Sequence, residues 1–268
     1  MEFTDVKAPE PVSGVPPGHF AAPLATDLDR AWSLARDGGE TLRERQERDP
    51  DPSAWPRALR RYAELQLRLA EHADDLLALG LADLRPQCAP AQFERLLASP
   101  ATERSVGAEG GVSHAEYKEL RDLVPQLAQW CAELSELGVP ASLDHADVHP
   151  GNVFAQAGVP FDWGDSAVAH PFCSLWVALR TAAEQAGVDP RSAQMSALAS
   201  AYFAPWLEAG HPEESLYRSQ RLALRIAPLA RALTWGRVFP CFQRHPVPAA
   251  HAARSLAALL KPDPLAAN

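Results

Sequence analysis

Residues 143–165 read LDHADVHPGNVFAQAGVPFDWGD and combine four aspartates, two histidines and one asparagine with short hydrophobic runs. His145, Asp147 and Asn152 lie on a stretch broken by a Pro-Gly pair, which predicts a loop. Strand-forming residues on either side of a Gln-Ala-Gly turn predict a hairpin, with Asp162 directly after its second strand. The hairpin would bring the side-chain oxygens of Asn152 and Asp162 together. An amide and a carboxylate oxygen in this arrangement suit Mg²⁺.

Asp147 lies upstream of these metal-ligand candidates, so its carboxylate is available to accept a proton from an incoming hydroxyl group. A metal that neutralises phosphate charge and a base that orients a nucleophile are what phosphoryl transfer requires. The same stretch allows a second interpretation, a metal-dependent hydrolase that uses His145, Asp147, His149 and Asp162. That hypothesis is weaker because H-x-D-x-H lacks the usual ligand order of a dinuclear site.

The spacing His145-x-Asp147-x-x-x-x-Asn152 matches the catalytic loop of protein kinases, H-R-D-x-x-x-x-N. The longer string HADVHPGNVF…PFDWGD more closely resembles the aminoglycoside phosphotransferase and choline kinase-like family, whose members read H-G-D-x-H-x-x-N before a hairpin and I-D-W/F. The resemblance implies two catalytic residues, Asp147 as the base and His145 as a brace of the loop. It implies that Asn152 and Asp162 bind Mg²⁺ beside ATP. Asp165 is a further metal-binding candidate, with helix capping as the alternative.

The sequence contains few of the motifs with which such an enzyme binds its nucleotide. Neither G-x-G-x-x-G nor G-x-x-x-x-G-K-[ST] occurs in the sequence. Lys7 is the only candidate for a phosphate-binding lysine, and the prolines that follow it disfavour a partnering helix. The resemblance implies an ATP- and Mg²⁺-dependent phosphotransferase that acts on a hydroxyl group of a small molecule. The alternative is a truncated or pseudokinase-like binding module without turnover.

The rest of the sequence predicts the elements that would position the loop. Residues 24–39 read as two short strands around an Asp27–Arg30 turn. Beyond residue 40, hydrophobic residues recur at helical spacing, with Ser53 as an expected N-cap. Ser113 and Glu116 predict a capping box. Further helices are predicted after the loop, at 171–186, 190–209, 213–238 and 249–260.

These patterns predict a mainly α (α+β) fold. The resemblance implies a protein-kinase-like large helical C-lobe, a small β-hairpin catalytic region and a truncated N-lobe remnant. Two domains follow, 1–39 as the N-lobe remnant with the hinge and 40–268 as the helical phosphotransferase domain. Beyond residue 40, only 143–165 shows strand character. Pro125 is expected to kink its helix or to start a second one.

We make separate predictions for several residues close to this stretch and for four acidic residues farther along the chain. His170 and Ser174 stand where the family's G-D-P-x-x-D-L-A string has aspartates. Trp163 is interpreted as a core residue and Asp144 as a solvated neighbour of the loop. Acidic residues that could contact the substrate cannot be ranked from the sequence, and they are Glu184, Glu208, Glu213 and Glu214.

The net charge and the distribution of hydrophobic residues restrict the classes of partner that we expect. The net charge of −9 argues against nucleic acid and favours a cationic or neutral substrate slightly over an anionic one. No apolar run reaches the roughly 18 residues that a membrane span needs, and the N-terminus is not a signal peptide. The expectation is a cytoplasmic protein that binds a nucleotide and a hydroxylated small molecule, without nucleic acid or membrane partners.

Overall fold

The computed structural model describes residues 23–27, 30, 32–237 and 246–265. Lys7 and most of the predicted N-lobe remnant lie outside them. The two strands predicted in 24–39 are present as β1 (Pro23–Asp27) and β2 (Trp32–Ala35), which pair antiparallel. Asp27 stabilises the turn between them because its carboxylate accepts hydrogen bonds from Arg30 at 2.9 and 2.6 Å.

Ten helices lie in the described residues beyond these strands: α1 (Leu42–Arg48), α2 (Ala54–Leu69), α3 (Ala73–Ala78), α4 (Ala89–Leu97), α5 (Pro100–Ser105), α6 (His114–Glu136), α7 (Leu175–Ala186), α8 (Ala193–Glu208), α9 (Glu213–Arg237) and α10 (Pro246–Leu259). The predicted helices after the catalytic loop match α7 to α10, except that Pro171–Ser174 forms a separate 3-10 turn. The mainly α fold class is thereby confirmed.

The observed helix ends can be compared with the capping residues and the proline that the sequence predicted to set them. Ser113 and Glu116 form the predicted capping box, which satisfies amide groups in the first turn of α6. Ser53 occupies the N-cap position of α2, as predicted, although its hydroxyl bonds to Asp51 and not to an amide of the helix. Pro125 lies inside one continuous helix, α6, and does not start a second one.

A three-stranded sheet contradicts the expectation that strands beyond residue 40 are confined to 143–165. Its strands are β3 (Ala82–Leu84), β4 (Ser142–Asp144) and β7 (Ala167–Ala169). The central strand, β7, pairs parallel with β3 and antiparallel with β4. Strands of three residues are too short for a recognisable alternation, and they form because partners distant in sequence meet.

The predicted hairpin is present as β5 (Val153–Phe154) and β6 (Val159–Pro160), each shorter than expected. It packs against the segment that follows β2, where the amide of Ala155 donates to the carbonyl of Glu40 at 3.0 Å. Gly38 lies so close to Phe154 that a Cβ atom there would be 2.2 Å from its ring. Glycine at this position therefore permits the close approach of the segment to the hairpin.

The main hydrophobic core joins the helices to the base of the catalytic loop. Helix α2 packs against α8, and α9 packs against α10. At the centre lies a cluster of edge-to-face aromatic rings around Phe172, which contacts Tyr202 at 5.6 Å and Trp206 at 5.4 Å between ring centroids. Such buried aromatic contacts give the loop a rigid support. Within the described residues, no helix is long and apolar enough to cross a membrane.

Candidate active site

The catalytic loop leaves β4 through a left-handed residue. Ala146 has a φ of 60° and is buried against the small core beneath the three-stranded sheet. Non-glycine residues adopt this conformation only where surrounding contacts impose it. Asp147 follows with a partly exposed carboxylate, while its main-chain carbonyl accepts a 3.1 Å hydrogen bond from Nδ2 of Asn152. Two of the predicted site residues are therefore joined directly.

His145 connects the loop to the hairpin. Its ring is buried, and Nε2 lies 2.8 Å from the carbonyl oxygen of Phe161. Because a carbonyl oxygen can only accept, Nε2 carries the proton in this contact. Burial lowers the pKa of His145, against the opposing influence of the Asp147 and Asp162 carboxylates. The ring thus connects the loop to the end of the hairpin, and the bracing role that the resemblance implies for His145 stays a prediction.

Asn152 and Asp162 lie at the same end of the hairpin. The amide of Phe161 donates to the carbonyl of Asn152 at 3.0 Å, so that Asp162 is one residue beyond the position opposite Asn152. Asp162 is exposed and left-handed, with a φ of 63°. Among the described residues, its carboxylate forms no ion pair and the Asn152 side-chain oxygen accepts no hydrogen bond. Two uncommitted hard oxygens fit a Mg²⁺ ion, which typically takes one or two protein oxygens and completes its shell with phosphates and water.

Asp165 pairs with an arginine that no motif in the sequence indicates. Arg231, on α9, forms an ion pair with Asp165 and also lies 3.5 Å from the carboxylate of Asp147. Burial raises the pKa of Asp165, while Arg231 acts in the opposite direction. The proposed metal-binding role of Asp165 stays a prediction. Arg231 is 66 residues away in sequence from Asp165, and no motif surrounds it.

His149 braces the other side of the loop. Its Nδ1 accepts a 3.0 Å hydrogen bond from the amide of Gly151 and faces the Arg43 guanidinium at 3.3 Å. Its Nε2 lies 4.0 Å from the carboxylate of Asp147. A Cβ atom on Gly151 would approach both His149 and Arg43 to about 3.0 Å, so a larger residue there would displace one of these side chains. The histidine thus ties the loop to α1.

Asp144 is not the solvated residue that was expected. It is 1% exposed, and its Oδ1 accepts hydrogen bonds from the Ser174 hydroxyl and from the amide of Ala146 at 3.0 Å. Its Oδ2 has no hydrogen-bond partner within the described part of the chain. Burial raises the pKa of Asp144 to about 6. The prediction was wrong because an isolated Asp in a loop sequence gives no sign of the serine that folds over it.

A buried polar network continues from this pair beneath the catalytic loop. The Tyr62 hydroxyl accepts a 2.9 Å hydrogen bond from the amide of His145 and lies 2.8 Å from the Ser174 hydroxyl. Gln66 donates to the carbonyl of Leu143 at 2.7 Å and accepts a hydrogen bond from Tyr202. Buried polar groups that are mutually satisfied restrict a segment to one conformation. Helices α2 and α8 therefore fix the start of the loop.

His170 also lies inside the protein, at the other position where the family string has an aspartate. Its Nδ1 accepts a 3.2 Å hydrogen bond from the amide of Phe172, which opens the 3-10 turn before α7. Burial lowers the pKa of His170 to about 3. The imidazole therefore caps this turn as a neutral group.

Of the four acidic candidates for substrate contact, Glu184 is the one that lines a cleft together with Asp147. This cleft has a volume of about 370 Å³. Glu208 is paired with Arg60 at 2.7 Å. The other two residues are exposed in the first turn of α9, and they are Glu213 and Glu214.

The arrangement does not suit the metal-dependent hydrolase. Across the described residues, no three His, Cys, Asp or Glu side chains are grouped so that they could hold a metal ion. His145 directs Nε2 to the carbonyl of Phe161, and His149 directs Nδ1 to the amide of Gly151. Both imidazoles thus use a ring nitrogen to hold the loop.

A comparison with protein-family models agrees with this geometry. The model described as "APH: Phosphotransferase enzyme family" matches residues 10–217, well over half of the 268 residues. The matched range contains Asp147, Asn152 and Asp162, and it ends before Arg231. No curated protein matched the chain. The match confirms the family that the loop motif predicted, and the chain therefore belongs to the APH phosphotransferase enzyme family.

Proposed function

We propose that the chain transfers the γ-phosphoryl group of ATP to a hydroxyl group of a small molecule, in the presence of Mg²⁺. The observation that supports this most is the position of Asp147. Its partly exposed carboxylate belongs to a residue that lines a cleft, and its main-chain carbonyl accepts a hydrogen bond from Asn152. The base and the proposed metal ligands are thus parts of one braced loop and hairpin.

In this proposal, the acceptor hydroxyl donates a hydrogen bond to the Asp147 carboxylate, which orients the oxygen and accepts its proton. Arg231 holds that carboxylate in position from 3.5 Å away. His145 and His149 keep the loop rigid through the hydrogen bonds described above, which limits the reorganisation needed before transfer. A Mg²⁺ ion bound by Asn152 and Asp162 would neutralise negative charge on the phosphates of the donor.

The second candidate function is a pseudokinase-like module that binds a nucleotide or another ligand without turnover. The sequence favours it through the lack of a glycine-rich phosphate loop, and Lys7 is a weak substitute for the usual lysine. The intact loop favours turnover, because a binding module has no need for a braced carboxylate beside a cleft.

The deciding experiment measures ADP formation from ATP and Mg²⁺ with a panel of hydroxylated small molecules, together with calorimetric binding of ATP·Mg²⁺. We expect acceptor-dependent ADP formation, and we expect Asp147→Ala and Asp147→Asn to reduce it at least a hundredfold. Asp122→Asn is the matched control, since Asp122 is an exposed residue of α6 paired with Lys118. Full activity of the Asp147 variants would exclude the base assignment, and nucleotide binding without turnover would favour the second candidate.

A further inference from the structure

The cleft beside Asp147 has the size of a small-molecule site, about 370 Å³. Its walls come from α7, α9 and α10 in addition to the catalytic loop. It is lined by none of the residues at 36–41, before α1, and by none of the hairpin residues at 152–162. The cleft therefore reaches Asp147 from a direction other than that of the proposed metal ligands, as an acceptor site requires.

Positive charge predominates in the lining of this cleft. Arg180, Arg231 and Arg254 line it, against the carboxylates of Asp147 and Glu184. Arg231 is engaged, since it forms an ion pair with an aspartate outside the cleft lining and lies 3.5 Å from Asp147. Within the described residues, neither of the other two arginines forms an ion pair. In the part of the chain that the structure describes, two guanidinium groups of the cleft thus have no carboxylate partner.

The surroundings of these two groups are suited to binding an anion. The Arg180 guanidinium is half-buried and lies 4.6 Å from the ring centre of Trp176. Burial lowers the pKa of Arg180, and the nearby charge of Glu184 only partly opposes this effect. The guanidinium of Arg254 lies 2.8 Å from Nδ1 of His251. Arginine forks bind carboxylate and phosphate oxygens in two-point contacts, most strongly where water is partly excluded, which applies to Arg180 and not to the exposed Arg254.

We propose that the acceptor is an alcohol that also carries an anionic oxygen group, bound by Arg180 and Arg254 while its hydroxyl group lies at Asp147. This inference rests on the proposed phosphotransferase function. In the reaction, the acceptor oxygen bonds to the γ-phosphorus of ATP, the bond from that phosphorus to the leaving ADP breaks, and the hydroxyl proton passes to Asp147. A polycationic acceptor would be repelled by the same two arginines.

The local charges oppose the preference that the net charge suggests. The value of −9 favours a cationic or neutral substrate, but it is the sum over the whole chain. Charges farther away than about 10 Å are largely screened by salt, whereas those in a cleft act directly on the ligand. The composition of the cleft should therefore determine the charge of the acceptor.

A binding experiment tests the inference without turnover. Calorimetry with the full chain compares four related compounds, namely gluconate, glucose 6-phosphate, glucose and glucosamine. We expect the two anions to bind at least about tenfold more tightly than the neutral and cationic compounds, and Arg180→Gln with Arg254→Gln to remove the difference. Arg121→Gln, an exposed α6 residue outside the cleft, is the control. Arg254→Gln alone covers the case in which the half-buried Arg180 is needed for folding.

Equal binding of the four compounds, or anion binding that both arginine variants retain, would overturn the inference. Turnover with ATP separates its failure from that of the proposed function. Phosphorylation that prefers glucose or glucosamine would leave the phosphotransferase function intact and exclude the anionic acceptor. Anion binding that depends on Arg180 and Arg254, without turnover of any compound, would support the site and count against the enzyme. A higher KM for ATP alone in the variants would assign the arginines to the nucleotide and overturn the inference.

Discussion

Ser174 donates a hydrogen bond to the buried carboxylate of Asp144, which joins the turn before α7 to the strand that leads into the catalytic loop. The two residues are 30 positions apart in sequence. Asp144, the last residue of β4, supplies the carboxylate of this contact, and Ser174 supplies the hydroxyl group.

The contact can be tested by exchanging its two side chains. Ser174→Asp alone would bring two carboxylates together in a buried site, and we expect it to destabilise the fold by about 3 kcal/mol or more. Adding Asp144→Ser should recover most of the loss, because one carboxylate and one hydroxyl are restored. Urea unfolding at pH 7 measures both variants, with Ser200→Ala on the exposed face of α8 as a control. Additive losses in the double variant would show that the pair is not coupled.

Asp144 should also make stability fall as the pH rises. Burial raises its pKa from 3.8 to about 6, so the folded protein holds a proton that the unfolded chain has released. The stability that this group contributes is complete below pH 4 and is lost as the pH rises through 6. The total loss in the free energy of unfolding is about 3 kcal/mol. Asp144→Asn should lack this change. Unfolding free energies of both proteins from pH 4 to 7 check the prediction, and parallel curves would contradict it.

His170 should have the opposite effect. Its pKa falls from 6.5 to about 3 on burial, so the unfolded chain binds a proton that the folded protein excludes. The stability that this group contributes is complete above pH 6.5 and is lost as the pH falls toward 3, by about 3 kcal/mol between pH 7 and pH 4.

The matched variant is His170→Asn, whose side-chain oxygen can still accept the hydrogen bond from Phe172. The free energy difference between the original protein and this variant should shrink on acidification. A difference that is constant from pH 7 to pH 4 would show that His170 does not titrate with unfolding. The free energy of unfolding should fall with rising pH because of Asp144 and rise because of His170. The two contributions can therefore be distinguished in the same pH range.

Replacing Asp162 should weaken the affinity of the protein for Mg²⁺. We expect Asp162→Asn to raise the Mg²⁺ concentration needed for half-maximal turnover at least about tenfold, because one charged oxygen ligand is lost. The exposed position of Asp162 predicts little change in thermal stability. Magnesium titrations of ADP formation, with Asp122→Asn as the control, measure the effect. An unchanged titration would remove Asp162 from the metal site.

The catalytic loop was largely predictable because its signals are local. The spacing of His145, Asp147 and Asn152 indicated the family, and the Gln-Ala-Gly turn indicated the hairpin that places Asp162 beside them. Capping and turn signals act within a few residues, as the box at Ser113 and the turn at Asp27 show. Ser53 shows the limit, since a competing contact with a neighbouring aspartate redirected its hydroxyl.

The sequence by itself determined the family, the helical character of the chain and the residues that carry the proposed chemistry. Only the tertiary structure decided the three-stranded sheet, the burial of Asp144, and the approach of Arg231 to Asp147. Each of these depends on residues far apart in the chain, and their distances are set by how the helices pack. Hydrophobic spacing and motif matches contain no information about which polar groups that packing brings together, so the charge of the acceptor cleft emerges only in the folded protein.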